Sequence, residues 1–346
     1  MRIVTTTLFL LLVLAITLFT ARSFLLDRLA AFALHKAGAD DITVHFSDIS
    51  FKQAHLDVLA ATFKLPTGEK LPVTLTGISL QYTLQQLLTT GKCDQVRIKE
   101  MEVHRTGTPK KSGTPLRLPE KIVILKDDLR SRLPLHALII ERLKFYGNLP
   151  PQITDKVIQV DTTIKGTAIF TTITLYPAAN TELTVNLHSP DADHYTADII
   201  GLQHGAEIVQ ARLALQPDVW SGTVDLQLSP VRDLLQQVTD LPEFPKIDGT
   251  LDGSFSMPLP LQNNSTIQAE ISLHDNKEHH LHLLAGGNPI KQLLNLTLTG
   301  RTKEQEFLNT TLAVKQQRIK GSYSLRAILL RSFLAPYLKQ PFPEIS

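Results

Sequence analysis

The sequence predicts a mostly β protein: an elongated, curled antiparallel sheet, groove-like or taco-like, with an apolar inner face and one transmembrane helix before it. Three observations carry this prediction. The N-terminus has a long uncharged run, most of the remaining chain alternates apolar and polar residues, and few helical segments are present to cover a sheet. The composition is that of a chain that folds, because 43% of the residues are hydrophobic and 20% are charged.

The N-terminal run matches a membrane-spanning segment. Residues 3–21 carry no charge and are flanked by arginines, and about 20 apolar residues span the hydrocarbon core of a bilayer. A cleaved signal peptide is the alternative. Cleavage sites follow an A-x-A-like pattern of small residues, but the residue two positions before Ala21 is the large Phe19. We therefore expect residues 1–21 to be an uncleaved transmembrane signal-anchor, with the short N-terminus inside and the bulk of the chain exported.

Residues 22–38 continue with helical periodicity. Apolar and charged or polar positions alternate there, as seen in Phe24, Leu25, Asp27, Arg28, Leu29, Phe32, Leu34, His35 and Lys36. We expect an amphipathic helical extension of the anchor at the membrane interface. The alternative is that this helix caps the first strands of the folded region, and the two interpretations are compatible.

The period of the pattern changes from 3.6 to 2 at about residue 41, so residues 39–118 are predicted to be a β region with one short helix. The alternation changes phase at Gly77, which predicts a bulge or kink. The segment "TLQQLLTTG" predicts a short helix that ends at Gly91. Cys93, the single cysteine, is expected at a turn-to-strand junction and excludes an internal disulfide.

Residues 119–346 predict an extended β meander that forms a groove. Short alternating segments recur at even spacing and are separated by Gly, Pro, Asn or Asp, with one helical insert, "VRDLLQQVTDLPEFP". Open twisted sheets seldom exceed ~10 strands without curling, splitting or closing. The apolar side of this sheet must therefore face another sheet, its own curled surface, or something outside the chain.

Apolar residues in this region recur on one face of successive strands, opposite Thr, Asn, Asp, Gln and Ser. We interpret them as the lining of a groove that holds acyl chains, whereas the alternative is the core of a closed β-sandwich, which gives the same alternation. Aromatic residues are only 6% of the chain, so the lining would be aliphatic. The predicted lining residues are Leu183, Val185, Leu187, Val224, Leu226, Leu228, Leu251, Phe255, Met257, Leu294, Leu296 and Leu298.

Other classes of function lack support in the sequence. A net charge of +2 without clustered Lys and Arg argues against nucleic acid as a partner. The chain contains no G-x-S-x-G, H-E-x-x-H, G-x-x-x-x-G-K-[ST] or G-x-G-x-x-G pattern, so we expect neither enzyme activity nor a cofactor. His280 and His282 share one strand face without an evident third ligand, so we interpret them as a solvent-facing polar pair rather than a metal site.

The order of these segments resembles the AsmA-like family of bacterial envelope proteins, most closely its YdbH branch. The resemblance covers most of the chain. It rests on an uncleaved anchor followed by "ITVHFSDISF", on the strand-helix-Gly-strand unit "GISLQYTLQQLLTTGKCDQVRIKEMEVHR", and on the segments "LPLHALIIERLKFYG" and "IDGTLDGSFSMPLP".

The resemblance implies a single-pass protein of the bacterial inner membrane, with most of the chain in the periplasm and no catalytic site. It implies that a periplasmic β-groove binds phospholipids and conducts their acyl chains between the inner and outer membranes. These residues would be the N-terminal portion of a longer protein, or the chain would need a partner in the outer membrane or periplasm to complete the path. The alternative function is an anchored assembly or structural scaffold with a closed β-sandwich and no ligand.

Overall fold

The computed structural model describes a mostly β fold, as predicted. The described residues are 27, 28, 30–32, 35, 39–64, 70–105, 135–147, 156–238, 248–275, 278–288, 290–303, 305–315, 318–326, 329 and 330. All seventeen strands belong to one mixed sheet. They group into two compact units: β1–β6 with helix α1 form the first unit, and β7–β17 with helix α2 form the second unit.

The strands follow one another in a simple order along the chain. Those of the first unit are β1 (Ala39–Ile49), β2 (Gln53–Lys64), β3 (Lys70–Gln81), β4 (Cys93–Arg105), β5 (Leu135–Gly147) and β6 (Ile158–Lys165), with α1 (Leu84–Thr90) between β3 and β4. Those of the second unit are β7 (Ala168–Leu175), β8 (Thr181–Ser189), β9 (Tyr195–Gln203), β10 (Ala206–Leu215), β11 (Val219–Gln227), β12 (Gly249–Pro258), β13 (Ile267–Asp275), β14 (His279–Asn288), β15 (Leu293–Thr302), β16 (Gln305–Lys315) and β17 (Arg318–Leu325), with α2 (Leu228–Val238) between β11 and β12.

The prediction of a purely antiparallel sheet is wrong in the first unit. There β1 to β6 pair with their neighbours in sequence, but β4 and β5 run parallel to each other. Parallel neighbours need a long connection because the chain must return to the starting end of the sheet. The segment from residue 106 to residue 134 is long enough to make that return.

The predicted phase change at Gly77 is confirmed, and it continues into neighbouring strands. In β3 the apolar positions shift from Leu75 to Ile78 across Gly77, whose φ of 62° is in the left-handed region. Their partners in β4 are Met101 and Ile98, which show the same shift. The apolar positions of β2 and β5 shift in the same way, because β2 pairs in continuous register with β3 and β5 pairs in continuous register with β4.

A row of buried side chains crosses the first unit and forms its core: Val44, Leu56, Ile78, Ile98 and Ile140. The described residues between 27 and 35 are helical, and Ala30 packs against this core. The backbone N–H of Phe46 donates a hydrogen bond of 2.9 Å to Asp27 Oδ1. This part of the predicted amphipathic extension therefore caps the first strands.

The short helix α1 ends as predicted. Gly91 follows its last residue with φ of 67°, the conformation of a C-terminal cap. Cys93 begins β4 and is half-buried, and this burial raises the pKa of its thiol, with a smaller contribution from Asp94.

In the second unit, β7 to β17 form an antiparallel meander in which each strand pairs with the next along the chain. The predicted helical insert is confirmed as α2, which packs against β10, β11 and β12. Leu228 is a correction, because it begins α2 and does not continue the face of β11.

The predicted signal-anchor, residues 1–21, lies outside the described residues. Among the residues that are described, no helix has the length and apolar character needed to cross a membrane.

Candidate functional site

One face of β7–β17, which we call the apolar face, carries apolar side chains on every strand. Cross-strand pairing places them in rows that run perpendicular to the strands. Because neighbouring strands lie about 4.8 Å apart, a row across eleven strands extends about 50 Å along the sheet. The row through Val185 contains Ile173, Val185, Ile199, Ala211, Val224, Gly253, Ile271, Leu283, Leu298, Thr310 and Tyr323.

The structure places the predicted lining residues of the strands together on this face. One row contains Leu183, Leu226 and Leu251. A second contains Val185, Val224 and Leu298, and a third contains Leu187, Phe255 and Leu296. Met257 and Leu294 share the face by alternation along their own strands. Leu228 is the exception, as described above.

The apolar face is half-exposed. Met257 is buried, with 6% of its surface exposed, but Leu187 is 39% exposed and Leu294 is 41% exposed. The other predicted lining residues on the strands are intermediate. Since all described strands belong to one sheet, they supply no second sheet to cover this face. Leu187 and Leu294 are thus far more exposed than the core residue Ile98 of the first unit, which is 6% exposed.

Glycines on the apolar face are covered by large neighbours. A Cβ added to Gly222 would meet the Phe255 ring at 2.5 Å and Leu213 at 2.8 Å. Phe307, which is 1% exposed, lies over Gly300 in the same way. Sequence reasoning missed Phe307, which lies at the register shift between β15 and β16, where Gly300 pairs with Leu308 and Arg301 pairs with Glu306. The space above each of these glycines is therefore filled by side chains of the same sheet.

A small depression interrupts the apolar face between β13, β14 and β15. It has a volume of about 270 Å³, and its lining includes Ile267, Ala269, Ala285 and Leu294. The small side chains of Ala269 and Ala285 pair directly across the two strands, so the surface is low where they meet.

The opposite face of β7–β17, which we call the polar face, carries Asn186, Asp252 and Thr297 among other hydrophilic residues. Two larger cavities, of about 700 Å³ and about 940 Å³, are lined mainly by side chains of this face. These two cavities thus lie on the hydrophilic side of the second unit.

The predicted polar pair, His280 and His282, lies on the polar face. His282 Nε2 is 2.8 Å from Glu270 Oε1, and His280 contacts His274 on the neighbouring strand. Within the described part of the chain, no three His, Cys, Asp or Glu side chains come together as metal ligands.

Two carboxylates also face each other on this side of the sheet. Asp225 of β11 lies directly opposite Asp252 of β12. Burial and, to a smaller extent, the neighbouring Asp252 raise the pKa of Asp225. This repulsion concerns the Asp225–Asp252 pair. Asp198, on the same face, has instead a cationic partner in Arg212, at 3.4 Å.

Comparison with known proteins adds no relative to these observations: no family model, no curated protein and no solved structure matches the chain.

Proposed function

We propose that this chain is an inner-membrane-anchored periplasmic protein that binds phospholipids and conducts their acyl chains between the inner and outer membranes. The observation that carries the proposal is the apolar face of the second unit, where rows of half-exposed apolar side chains continue across eleven strands. In this proposal the protein transports lipid without catalysing a reaction.

The energetics of the apolar face favour an apolar ligand. Soluble monomers rarely expose contiguous apolar patches larger than a few hundred Å², whereas here each of the eleven strands contributes to one patch. Burying a methylene group contributes about 0.8 kcal/mol. An acyl chain lying along the row from Phe255 to Leu296, a distance of about 14 Å across four strands, would cover part of this surface without requiring a second protein layer.

The side chains of the apolar face suit the movement of a lipid along the sheet better than its tight binding at one position. Its side chains are mostly Leu, Ile, Val and Ala, which attract an acyl chain by non-directional contact. Positions along one row are chemically similar, so a chain that moves by one strand exchanges one set of contacts for an equivalent set. In the proposal the sheet of the second unit curls around the lipid, as large twisted sheets tend to do, and the polar face meets water.

Site-specific photo-crosslinking in bacterial cells tests the proposal. The crosslinking residue is placed at Val185 or Leu296 on the apolar face, and at Thr184 or Thr297 as the matched control one position away on the same strand. We expect phospholipid adducts, identified by mass spectrometry, at Val185 and Leu296 but only background levels at the two threonines. Equal labelling of both faces would contradict the assignment of the apolar face.

Native mass spectrometry of the full chain after gentle detergent extraction separates transport from the scaffold alternative. We expect co-purifying phospholipid. A lipid-free protein that also gives no adducts at Val185 and Leu296 would support an anchored scaffold instead.

A further inference from the structure

Three basic side chains form a row on the polar face at one end of β13, β14 and β15. His274 pairs with His280, and His280 pairs with Arg301. Directly opposed residues in antiparallel strands have Cα atoms about 4.5–5.5 Å apart, so the row spans about 10 Å. This is the scale of a small anionic group with its first contacts.

The row borders the cavity of about 940 Å³. Its lining combines three histidines, the permanent cations Arg301 and Lys303, the carboxylate of Glu278 and two hydroxyl groups. The hydroxyls of Ser272 and Thr299 flank His282, because both residues pair with it across the ladder. Donors of hydrogen bonds therefore line a cavity that also carries positive charge.

The cations of this cavity are available for a ligand. Among the described residues, neither Arg301 nor Lys303 forms an ion pair with a carboxylate. Glu306, which lies opposite Arg301, instead accepts a hydrogen bond of 3.2 Å from Asn309 Nδ2. Arginine presents a fork of N–H donors that matches the oxygens of a phosphate group.

The β13–β14 hairpin carries all three histidines of the cavity and is held by a buried pair. Asp275 accepts a hydrogen bond of 2.8 Å from the backbone N–H of His279, and the two side chains are also 2.8 Å apart. Both residues are buried. The ends of β13 and β14 that carry His274 and His280 are thereby held together before any ligand arrives, which lowers the entropic cost of binding.

His274 and His280 form the imidazole part of the cavity. Their Nδ1 atoms are in direct contact, and His274 Nε2 lies 3.9 Å from Asp252 Oδ2. In such a contact one ring donates its Nδ1–H to the other, and the accepting neutral ring carries its own proton on Nε2, where it is a hydrogen-bond donor.

We propose that this cavity is a binding site for a phosphate-bearing anion, with Arg301 and Lys303 as permanent cations and the His274–His280 pair as further hydrogen-bonding groups. The charged groups that face the pair are Asp252 from β12, Glu270 from β13, Glu278 from the β13–β14 turn, His282 from β14, Arg301 and Lys303 from β15 and the turn after it, and Glu306 from β16. The phosphate group belongs either to a lipid headgroup or to free phosphate. The proposal does not depend on acyl chains binding to the apolar face.

Isothermal titration of the full chain in detergent micelles with inorganic phosphate tests the site. We expect measurable phosphate binding by the wild type. Arg301→Gln should weaken this binding roughly tenfold, since it removes a charge-assisted contact. The double variant His274→Asn with His280→Asn should weaken it roughly two- to threefold, since it removes neutral hydrogen-bonding groups but no permanent charge.

Arg212→Gln is the matched control, because Arg212 lies on the same face but pairs with Asp198. It should bind phosphate as the wild type does. The proposal is overturned if the wild type shows no phosphate binding, if Arg212→Gln weakens binding as much as Arg301→Gln, or if the double histidine variant binds as tightly as the wild type.

A second titration, with dihexanoyl phosphatidylglycerol below its micellar concentration, separates the two sources of phosphate. A lipid headgroup site should bind this probe more tightly than inorganic phosphate and should lose that binding in Arg301→Gln. Equal or weaker binding of the lipid probe identifies free phosphate as the ligand. Neither result depends on the outcome of crosslinking at Val185 and Leu296.

Discussion

At the scale of single residues, Gly77 determines how the first unit changes phase. Its φ of 62° is unfavourable for residues with a side chain, and a Cβ there would lie 2.9 Å from Lys99 Cβ. The clash cannot be relieved by rotating the lysine, because Cβ is fixed by the backbone of β4. Gly77 is thus constrained both by its conformation and by its neighbour.

A pair of glycine variants separates these two constraints. Gly166 has a similar φ of 64° but no heavy atom within 4 Å of an added Cβ. Gly166→Ala should lower the free energy of unfolding by about 1 kcal/mol, through conformation alone. Gly77→Ala should lower it by about 2–4 kcal/mol, since a close contact is added. Urea unfolding followed by circular dichroism measures both, and equal losses would show that Lys99 moves away freely.

At the scale of elements, the pairing of β11 with β12 sets two carboxylates against each other. The pKa of Asp225 is raised by burial and by Asp252, so the folded state holds its proton more tightly than the unfolded state. An acid whose pKa is raised on folding destabilises the protein once it is ionised. That cost is present above the folded pKa and disappears as the pH falls below the unfolded value.

Asp225→Asn should therefore stabilise the protein at pH 7. We expect a gain of at most about 0.5 kcal/mol, because the site is exposed and screened by solvent. The gain should shrink as the pH falls through the folded pKa and vanish below the unperturbed value of 3.8. Urea unfolding across this pH range is the measurement. Asp198→Asn is the control and should give no gain, since Asp198 has Arg212 as a partner; a gain of equal size would mean that net charge alone is responsible.

The elements also show what alternation can and cannot predict. The change of phase at Gly77 and the end of α1 at Gly91 were visible in the sequence, because each depends on neighbours along the chain. The parallel β4–β5 pair was not visible, because strand direction depends on how a long connection returns. Leu228 continues the alternation of Leu226, yet it begins α2. The signal there is Pro230, which suits the first turn of a helix.

At the scale of the whole molecule, the predicted lining came together because strand neighbours in sequence are also neighbours in the sheet. In a meander of that kind, alternation along each strand fixes the face, and the hairpin register fixes the rows. The cavity on the polar face was harder to predict. His280 and His282 were visible as a pair along one strand, but their cross-strand neighbours His274 and Arg301 depend on register, which short loops alone do not specify.

The two units use the same kind of apolar strand face in different ways. In the first unit, Ile98 is 6% exposed and lies in a core against which Ala30 packs. In the second unit, Leu296 is half-exposed, and α2 packs only near β10, β11 and β12. If the second face is a lipid surface, a charge there should disturb ligand binding more than folding.

Aspartate substitutions at these two positions make that difference measurable. Ile98→Asp should lower the free energy of unfolding by about 3 kcal/mol or more, because it buries an unpaired charge in a core. Leu296→Asp should cost about 1 kcal/mol or less, because its carboxylate stays partly hydrated. Circular dichroism during urea unfolding should show this contrast, while native mass spectrometry should show that Leu296→Asp loses co-purifying phospholipid. Thr297→Asp, on the polar face of the same strand, should retain both the fold and the lipid. If Leu296→Asp unfolds the protein as readily as Ile98→Asp does, the apolar face of the second unit is a packed core, and the lipid proposal fails with it.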